Sequence, residues 1–422
     1  MAFVFAVLVG IALTAVSVTR AIRLFSRDVP RLPFGVTYDV ASETISIHDF
    51  ATTLAFTRFV WRERPPRPYG VEAHQAMMRA WTGTPISLAM PFGYPPTMLV
   101  VLAPLLVLDP VVSYLVWALA PVLLLLGWSW SRRGEVARGA WEPWVGVLTL
   151  QSAACQGAVG FGQNALWILL ASWVLYRNAA LDAAARPKRD LVDAACLVFL
   201  TVKPPAALAA ALALLWMKRF RALTVAALAT AVVLTSMTFW LGPTWLGDYL
   251  SLLAHYNPDA IPAAFRPFVR VESMSNLVHF LHDRFGIPVA RGALISNGAW
   301  LAVATVLTWH FLGREAREPA FCVALGLTLY AVLCSHLNFP DDVLIVVGTL
   351  LVCGTAGTGT TTRAGVVGMT WVILNVGVSK YFWPAPAGTH AAFLIKMLFL
   401  VTLVVVRFGE LSPAGAPRPA AR

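Results

Sequence analysis

The sequence predicts an all-α protein that crosses a membrane many times. Of its 422 residues, 58% are hydrophobic and 13% are charged, whereas a soluble domain has about 25% charged residues. The mean hydropathy is +0.70, and the apolar residues form blocks of about 15–20, close to the length of a membrane-spanning helix. No alternating pattern of about ten residues recurs, as the strands of a membrane barrel would require. We therefore expect a polytopic bundle of about 11–13 transmembrane helices.

The predicted spans are apolar blocks, at 2–19, 95–109, 111–130, 142–156, 163–178, 190–202, 204–217, 222–241, 291–311, 318–334, 339–353, 364–378 and 390–408. We expect the first block to be a retained helix and not a signal peptide, because no charge precedes it and no convincing cleavage site follows it. The chain is predicted to form one integral membrane domain over residues 1–410, with large loops at 20–94 and 242–290 and a short tail at 411–422.

Basic loops set the expected orientation. Arginine and lysine cluster at 177–189, 218–221 and 314–317, and short basic loops face the cytoplasm. Counting outward from them places four stretches on the other side of the membrane: the end of 157–164, 242–290, 335–342 and 379–389. Residues 20–94 also lie there provided that the first helix runs from inside to outside. The arginines at 20, 23, 27 and 31 argue against that direction, but long loops cross the membrane largely regardless of charge. The net charge of +11 is therefore interpreted as charge that flanks membrane spans, and no nucleic-acid partner is expected. We predict a multi-pass protein of the plasma membrane.

Residues 95–130 conflict with this orientation. Two full spans there would place Arg132, Arg133 and Arg138 outside, against the positive-inside rule. The block 95–109 is short for a crossing, about 21 Å as a helix. One of the two blocks is therefore expected to be re-entrant or half-buried.

The first loop contains a candidate catalytic acid. Interfacial helices are expected near 48–63 and 71–82, and Asp49 follows His48 at the start of the first. Asp49 is either a helix cap or a general base beside the bilayer, where a low dielectric raises the pKa of a carboxyl group. Asp39, in "VTYDV", is the alternative acid.

Polar residues at the ends of apolar blocks are further candidates. Tyr94 precedes two prolines in "FGYPPTMLVV" and is either an interfacial belt aromatic or a site residue. Gln163 and Asn164, in "GFGQNALWILL", either hold helices together or bind a hydroxyl-rich ligand. Lys203, in "LTVKPPAALAA", must reach the surface, find a partner or bind an anionic phosphate.

Two later stretches complete the candidate site. "CSHLNFPDDVLIVV" places His336, Asp341 and Asp342 beside a helix entrance, which favours a site, but their spacing fits no zinc pattern. In the loop 242–290, Arg266 and Arg270 are candidate phosphate clamps, although a solvated lid is an equally good interpretation. The apolar positions of "WLGDYLSLLAH" in that loop predict an amphipathic helix lying in the interface.

No cofactor or metal is predicted. The chain has no Walker loop, GxSxG, HExxH or dinucleotide fingerprint. Its five cysteines lie in or beside apolar blocks without a CxxC pair, so we interpret them as buried thiols and expect neither a disulfide nor a metal site.

Four stretches together resemble glycosyltransferase family 87, polytopic enzymes of the GT-C fold. They are "DFATTLAFTRFVWRERPPRPYG", "FGYPPTMLVVLAPLLVL", "GFGQNALWILL" followed by "TVKPPAALAAALALLWMKRFRAL", and "SHLNFPDDVLIVV". The resemblance implies a mannosyltransferase-like enzyme that moves a sugar from a polyprenyl-phosphate donor to a lipid or glycan acceptor on the outer face. It assigns the role of general base to Asp49. It implies that the family's other motif positions fall on Tyr94, Gln163, Asn164, Lys203 and Asp342.

The implied mechanism is a single displacement at the anomeric carbon. Asp49 accepts the proton of the acceptor hydroxyl, while Lys203 and Arg266 or Arg270 stabilise the leaving polyprenyl phosphate. A transporter or flippase of lipid-linked cargo is the alternative from a different class, and it predicts internal repeats and helices broken at the midplane. A surface-polysaccharide ligase or polymerase and a purely structural membrane subunit are further alternatives. The oligomeric state is left open.

Overall fold

Helices make up nearly all of the described chain. The computed structural model describes residues 1–26, 36–39, 44–47, 49–70, 72–73, 93–179, 186–255, 276–312, 319–334, 339–354, 358–382 and 385–409. The α-helices are α1 (Ala2–Ser26), α2 (Asp49–Glu63), α3 (Pro96–Leu102), α4 (Pro110–Ser131), α5 (Arg133–Val136), α6 (Glu142–Gln151), α7 (Ala153–Phe161), α8 (Ala165–Ala179), α9 (Arg186–Leu200), α10 (Pro204–Trp216), α11 (Phe220–Leu241), α12 (Trp245–His255), α13 (Asn276–Phe285), α14 (Val289–Leu312), α15 (Pro319–Leu333), α16 (Ile345–Gly354), α17 (Thr360–Phe382) and α18 (Ala385–Gly409). The predicted all-α polytopic class is confirmed.

Two 3₁₀ helices and one β-hairpin add to the α-helices in the described part of the chain. The 3₁₀ helix Ala103–Val107 follows α3, and a second one, Phe339–Leu344, precedes α16. In the first loop, strands β1 (Val36–Asp39) and β2 (Thr44–Ile47) pair antiparallel, a hairpin that the sequence analysis did not predict. The helix expected near 48–63 is present as α2, whereas most of the one expected near 71–82 lies outside the described residues.

Among the described residues, four helical stretches are long and apolar enough to cross a membrane unaided: Ala2–Ile22, Pro110–Ser131, Phe220–Leu241 and Arg291–Leu312. Their outer faces carry large exposed apolar side chains, such as Leu228, Val232 and Trp309, as helices in contact with lipid do. Shorter apolar helices pack among them, so the number of spans stays a prediction. All five cysteines are free, and four of them are buried.

One end of the bundle is rich in arginine, and we call it the basic end. Arg132 Nε donates a hydrogen bond to Glu135 Oε1 at 2.9 Å. This hydrogen bond is the main reason why the pKa of the Glu135 carboxyl group is lowered. Arg177, at the end of α8, lies close enough to lower that pKa further. Arg132 and Arg177 therefore lie at the same end, which removes the conflict in the predicted orientation.

Buried ion pairs fix α9 and α11 at this basic end. Arg219 Nε donates to Asp190 Oδ1 at 2.7 Å, and Arg219 Nη2 donates to Asp193 Oδ2 at 2.9 Å. Asn178 Nδ2 donates to the other oxygen of Asp193 at 2.9 Å. Because Asn178 follows Arg177 in the chain, the starts of α9 and α11 and the end of α8 meet here.

The opposite end of the bundle, which we call the site end, holds the first loop. The 22 residues of α4 extend about 33 Å from the basic end, and α2 packs on the start of α4 and on α3. Trp61 Nε1 of α2 donates to Leu99 O at 3.2 Å, and Asp109 Oδ1 caps α4 by accepting from Val111 N at 2.8 Å. Residues 96–107 therefore begin and end at the site end, consistent with the expected partial insertion.

α6 and α7 follow one another from the basic end to the site end as one interrupted helix. Ser152 interrupts it with extended backbone (φ −73°, ψ 150°). Two of the N–H groups released by the break are bonded within the protein, as an apolar environment requires. Ala153 N donates to Asn375 Oδ1 at 3.0 Å, and Cys155 N donates to Ser152 Oγ at 3.2 Å.

Close contact between α10 and α15 sets the position of the site. A Cβ atom at Gly326 of α15 would lie 3.0 Å from the backbone oxygen of Ala209 in α10 and 3.6 Å from Ala213 Cβ. Glycine permits this approach, which small residues provide between membrane helices. The two helices are antiparallel, so the start of α10 and the end of α15 share the site end.

We expect Gly326→Leu to destabilise the protein by about 1–3 kcal/mol, because the new side chain meets backbone that cannot move cheaply. The measurement is thermal unfolding in detergent. Gly298→Leu in α14 is the matched control, since a Cβ there meets no described atom within 4 Å. Equal Tm values for the two variants would contradict the proposed close packing.

Candidate active site

A glycine-terminated turn joins α7 to α8 at the site end. Gly162 ends α7 in the left-handed conformation (φ 63°), which glycine adopts without strain. Its carbonyl oxygen accepts a hydrogen bond from Trp117 Nε1 at 3.1 Å, and Gln163 N donates to Ala158 O at 2.9 Å. These bonds fix the backbone at the entrance to α8.

Asn164 is held at this entrance with an unused donor. Its side chain is 3% exposed, and its Nδ2 atom has no hydrogen-bond partner among the described residues. A buried amide without a partner costs about 1–3 kcal/mol. The start of α8 also carries the partial positive charge of the helix dipole. The site therefore offers a donor to an electron-rich ligand atom.

A row of aromatic rings connects three of the predicted site segments. The row runs from Phe50 through Trp117 and Trp167 to Phe199, with centroid separations of 6.1, 5.4 and 6.3 Å. Trp167 Nε1 also donates to Trp117 O at 2.8 Å. Phe50 follows Asp49 in the chain, so the start of α2 lies beside the Gly162 turn. Only the backbone of Asp49 is described.

Lys203 caps the start of α10 and pairs with Asp341. Its backbone is extended (φ −133°, ψ 87°), and two prolines follow in the first turn of the helix, where proline is tolerated. Lys203 Nζ forms an ion pair with Asp341 Oδ2, and their side chains are 19% and 3% exposed. The lysine thus has a protein partner as well as a partly exposed side chain.

Asp342, the neighbour of Asp341, pairs with a residue that the sequence analysis missed. Lys396 Nζ of α18 lies 2.5 Å from Asp342 Oδ1, and both side chains are buried. The acidic 3₁₀ helix, Phe339–Leu344, carries both aspartates and packs against α7, α8 and α17. A lysine within the apolar run "FLIKMLFLV" was the sequence signal for Lys396, by the same reasoning that selected Lys203.

Tyr94 is held at the site end through its backbone. Its carbonyl oxygen accepts from Tyr69 Oη at 3.2 Å, and the preceding carbonyl, Gly93 O, accepts from Tyr249 Oη at 3.1 Å. Burial raises the pKa of the Tyr69 hydroxyl well above its usual value, so this group stays a neutral donor. The Tyr94 side chain is half-buried.

A clamp between Arg67 and Asp248 joins the first loop to α12. Arg67 Nε donates to Asp248 Oδ2 at 3.1 Å, and Thr244 Oγ1 donates to the same oxygen at 3.0 Å. The amphipathic helix predicted in "WLGDYLSLLAH" is present as α12, with Leu246 and Leu250 exposed. The sequence analysis did not find this clamp, which depends on residues 181 positions apart.

Several predicted site residues lie outside the part of the chain that is described. These are His48, Arg266, Arg270 and His336. The described candidates Tyr94, Gln163, Asn164, Lys203, Asp341 and Asp342 all lie on elements that meet at the site end. Within the described residues, no group of three or more His, Cys, Asp or Glu side chains is arranged to hold a metal ion.

The comparison with known families decides the general activity. The model of glycosyltransferase family 87 matches residues 92–335, more than half of the chain. The chain belongs to glycosyltransferase family 87. This glycosyltransferase has no match among the curated proteins and none among the solved structures. The matched range contains Tyr94, Asn164 and Lys203, whereas Asp49 and the acidic 3₁₀ helix lie outside it.

Asn164→Leu should lower sugar transfer about ten-fold while leaving thermal stability equal or higher. The substitution removes a donor to the substrate, about the worth of one hydrogen bond to a charged group, and it also removes an unpaired buried amide. Initial rates and Tm in detergent measure the two effects. Ser172→Ala in the same helix is the control, because Ser172 Oγ is also buried without a partner among the described residues. Equal rates for the two variants would exclude Asn164 from substrate binding.

The Arg67–Asp248 clamp should give an acid-dependent contribution to stability. The hydrogen bond from Arg67 is the main cause that lowers the pKa of Asp248 from 3.8. The contribution is therefore fully present above the pKa of the unfolded state and is lost as pH falls through the lower, folded pKa. We expect Asp248→Asn to have a lower Tm than the wild type at about pH 6, with the difference narrowing below about pH 4. A difference that stays constant over this range would contradict the assignment.

Proposed function

We propose that this glycosyltransferase moves a sugar from a polyprenyl-phosphate donor to a lipid or glycan acceptor at the site end. The observation that carries the proposal is the convergence of the start of α2, the Gly162 turn and Lys203 at one end of an apolar bundle. A donor with a polyprenyl anchor keeps its chain in the membrane and its phosphate at the interface. A fixed ammonium group at that depth suits such a phosphate.

Lys203 is the proposed cation for the leaving phosphate. An ammonium group has three donors, so its pairing with Asp341 leaves donors for a phosphate oxygen, and part of the side chain is exposed. Stabilisation of the developing charge on the leaving group is among the largest contributions that a site of this kind makes. Arg266 and Arg270 are proposed as additional phosphate ligands from the sequence alone.

Asp49 is the proposed general base. In a single displacement, the acceptor O–H bond breaks and its proton passes to the Asp49 carboxylate. The acceptor oxygen bonds to the anomeric carbon as the bond from that carbon to the phosphate oxygen breaks. The electron pair of that bond leaves with the polyprenyl phosphate. This chemistry requires no nucleotide and no redox cofactor, since the donor carries its own leaving group.

The proposed orientation places the basic end in the cytoplasm and the site outside. Arg132, Arg177 and Arg219 meet at the basic end, and positive charge is retained on the cytoplasmic side of membrane proteins. α1 starts beside α6, with the rings of Phe3 and Trp144 5.2 Å apart, and therefore runs from the basic end to the site end. We propose the plasma membrane as the location, and mannose or another hexose or pentose as the sugar.

We expect Asp49→Asn to reduce sugar transfer at least about 100-fold, because the amide cannot accept the proton of the acceptor hydroxyl. The assay uses membranes supplied with radiolabelled polyprenyl-phosphate mannose and acceptor lipid, normalised to the amount of protein. Asp39→Asn is the matched control from the same loop and should retain near wild-type transfer.

Loss of transfer in Asp39→Asn, with full transfer in Asp49→Asn, would assign the base to Asp39 instead. A wild-type protein that moves labelled lipid across the membrane without forming a glycosidic bond would contradict the proposal and favour a flippase. Labelled hexose and pentose donors tested in parallel identify the sugar.

A further inference from the structure

Lys396 is a charged residue deep inside an apolar helix. It is the twelfth residue of α18, which begins at Ala385, and it is 3% exposed. An ionisable side chain at membrane depth is expensive and is retained when it pairs with another charge or serves a function. Lys396 pairs with Asp342 at 2.5 Å.

The two consecutive aspartates bind lysines on two different helices. Asp341 pairs with Lys203 at the start of α10, and Asp342 pairs with Lys396 in α18. In a 3₁₀ helix with about three residues per turn, consecutive side chains point about 120° apart. The two ion pairs therefore fix the rotation of the acidic 3₁₀ helix about its axis.

We propose that Lys396 is a positioning residue that holds Asp342 and thereby presents Asp341 to Lys203. The effect on catalysis rests on the proposed function, in which Lys203 binds the donor phosphate. Asp341 and the phosphate share one ammonium group, so the position of Asp341 sets how Lys203 is oriented toward the donor. Neither Lys396 nor the two aspartates lie within the range matched by the family.

A coupling experiment tests the positioning without any substrate. The double variant Lys396→Met/Asp342→Leu removes both buried charges together and should fold, because neither charge is left without a partner and apolar replacement of a buried ion pair is often neutral or stabilising. We expect the drop in Tm caused by Lys203→Met in this background to be at most about half the drop in the wild-type background. The reason is that Asp341 is then no longer aligned with Lys203.

The control background for this experiment is Thr349→Ala/Thr370→Ala, which removes another buried polar pair between helices, with 2.5 Å between the hydroxyl oxygens. There the drop in Tm caused by Lys203→Met should equal the drop in the wild type. An equal drop in the Lys396→Met/Asp342→Leu background as well would show that the two ion pairs are independent and would overturn the proposal.

Kinetics give the second test. In the Lys396→Met/Asp342→Leu variant, we expect the KM for polyprenyl-phosphate mannose to rise about ten-fold and kcat to fall as well, because Lys203 binds the donor phosphate in the ground state and stabilises the charge that develops on it in the transition state. Wild-type KM and kcat in a variant of wild-type Tm would overturn the positioning role. If the wild type transfers no sugar from this donor, the proposed function fails, and the Tm coupling alone decides the role of Lys396.

Discussion

The need to pair buried charges determines how this bundle is assembled around its site. Lys203 and Lys396 lie in or beside apolar helices, where an unpaired ion costs several kcal/mol. Each lysine has a carboxylate within ion-pair distance, and the two carboxylates are consecutive residues. The acidic 3₁₀ helix must therefore lie between α10 and α18. Because the same short helix packs on α7 and α8, the position of the Asn164 turn is linked to these pairs.

The ion pairs differ in how much they contribute to the stability of the bundle. The Arg219 pairs with Asp190 and Asp193 are largely buried, so the loss of one partner would leave a charge without compensation. The Arg67–Asp248 clamp has an arginine that is mostly exposed, and exposed pairs contribute little to stability. It therefore adds only a small, acid-dependent contribution to stability, and its main effect is to hold the first loop against α12. The buried pairs fix the scaffold, whereas the exposed clamp tethers the loop that contains the proposed base.

Hydropathy predicted the positions of most helices because the apolar blocks end at proline, glycine or charge. Local signals of this kind identified the starts of α3 and α10 and the turn at Gly162. The break at Ser152 was not predicted, since a serine within an apolar block interrupts a helix only when neighbouring helices satisfy the released backbone groups. Here the amide of Asn375 does so, and that contact depends on tertiary packing.

In the site, too, the contacts that depend on tertiary packing could not be predicted from the sequence. Lys203 and the aspartate pair were recognised as unusual for their surroundings, but sequence distance gave no indication that Lys203 and Asp341 meet. Lys396 was missed although it also lies in an apolar run, because no prolines or polar neighbours drew attention to it. The first-loop hairpin was missed since the segment was interpreted from the composition of the helix that follows it.

Polar groups in the bundle distinguish a transferase from a transporter in physical terms. A transporter directs the free ends of a broken helix at its cargo near the midplane, and α6 and α7 do form a broken helix. Two of the N–H groups released at that break are bonded within the protein, however: Ala153 N donates to Asn375 Oδ1, and Cys155 N donates to Ser152 Oγ. The buried donor of Asn164, at the site end, has no partner among the described residues. A buried donor without a partner needs an explanation, and a substrate bound at the start of α8, close to the start of α2, would supply one for Asn164.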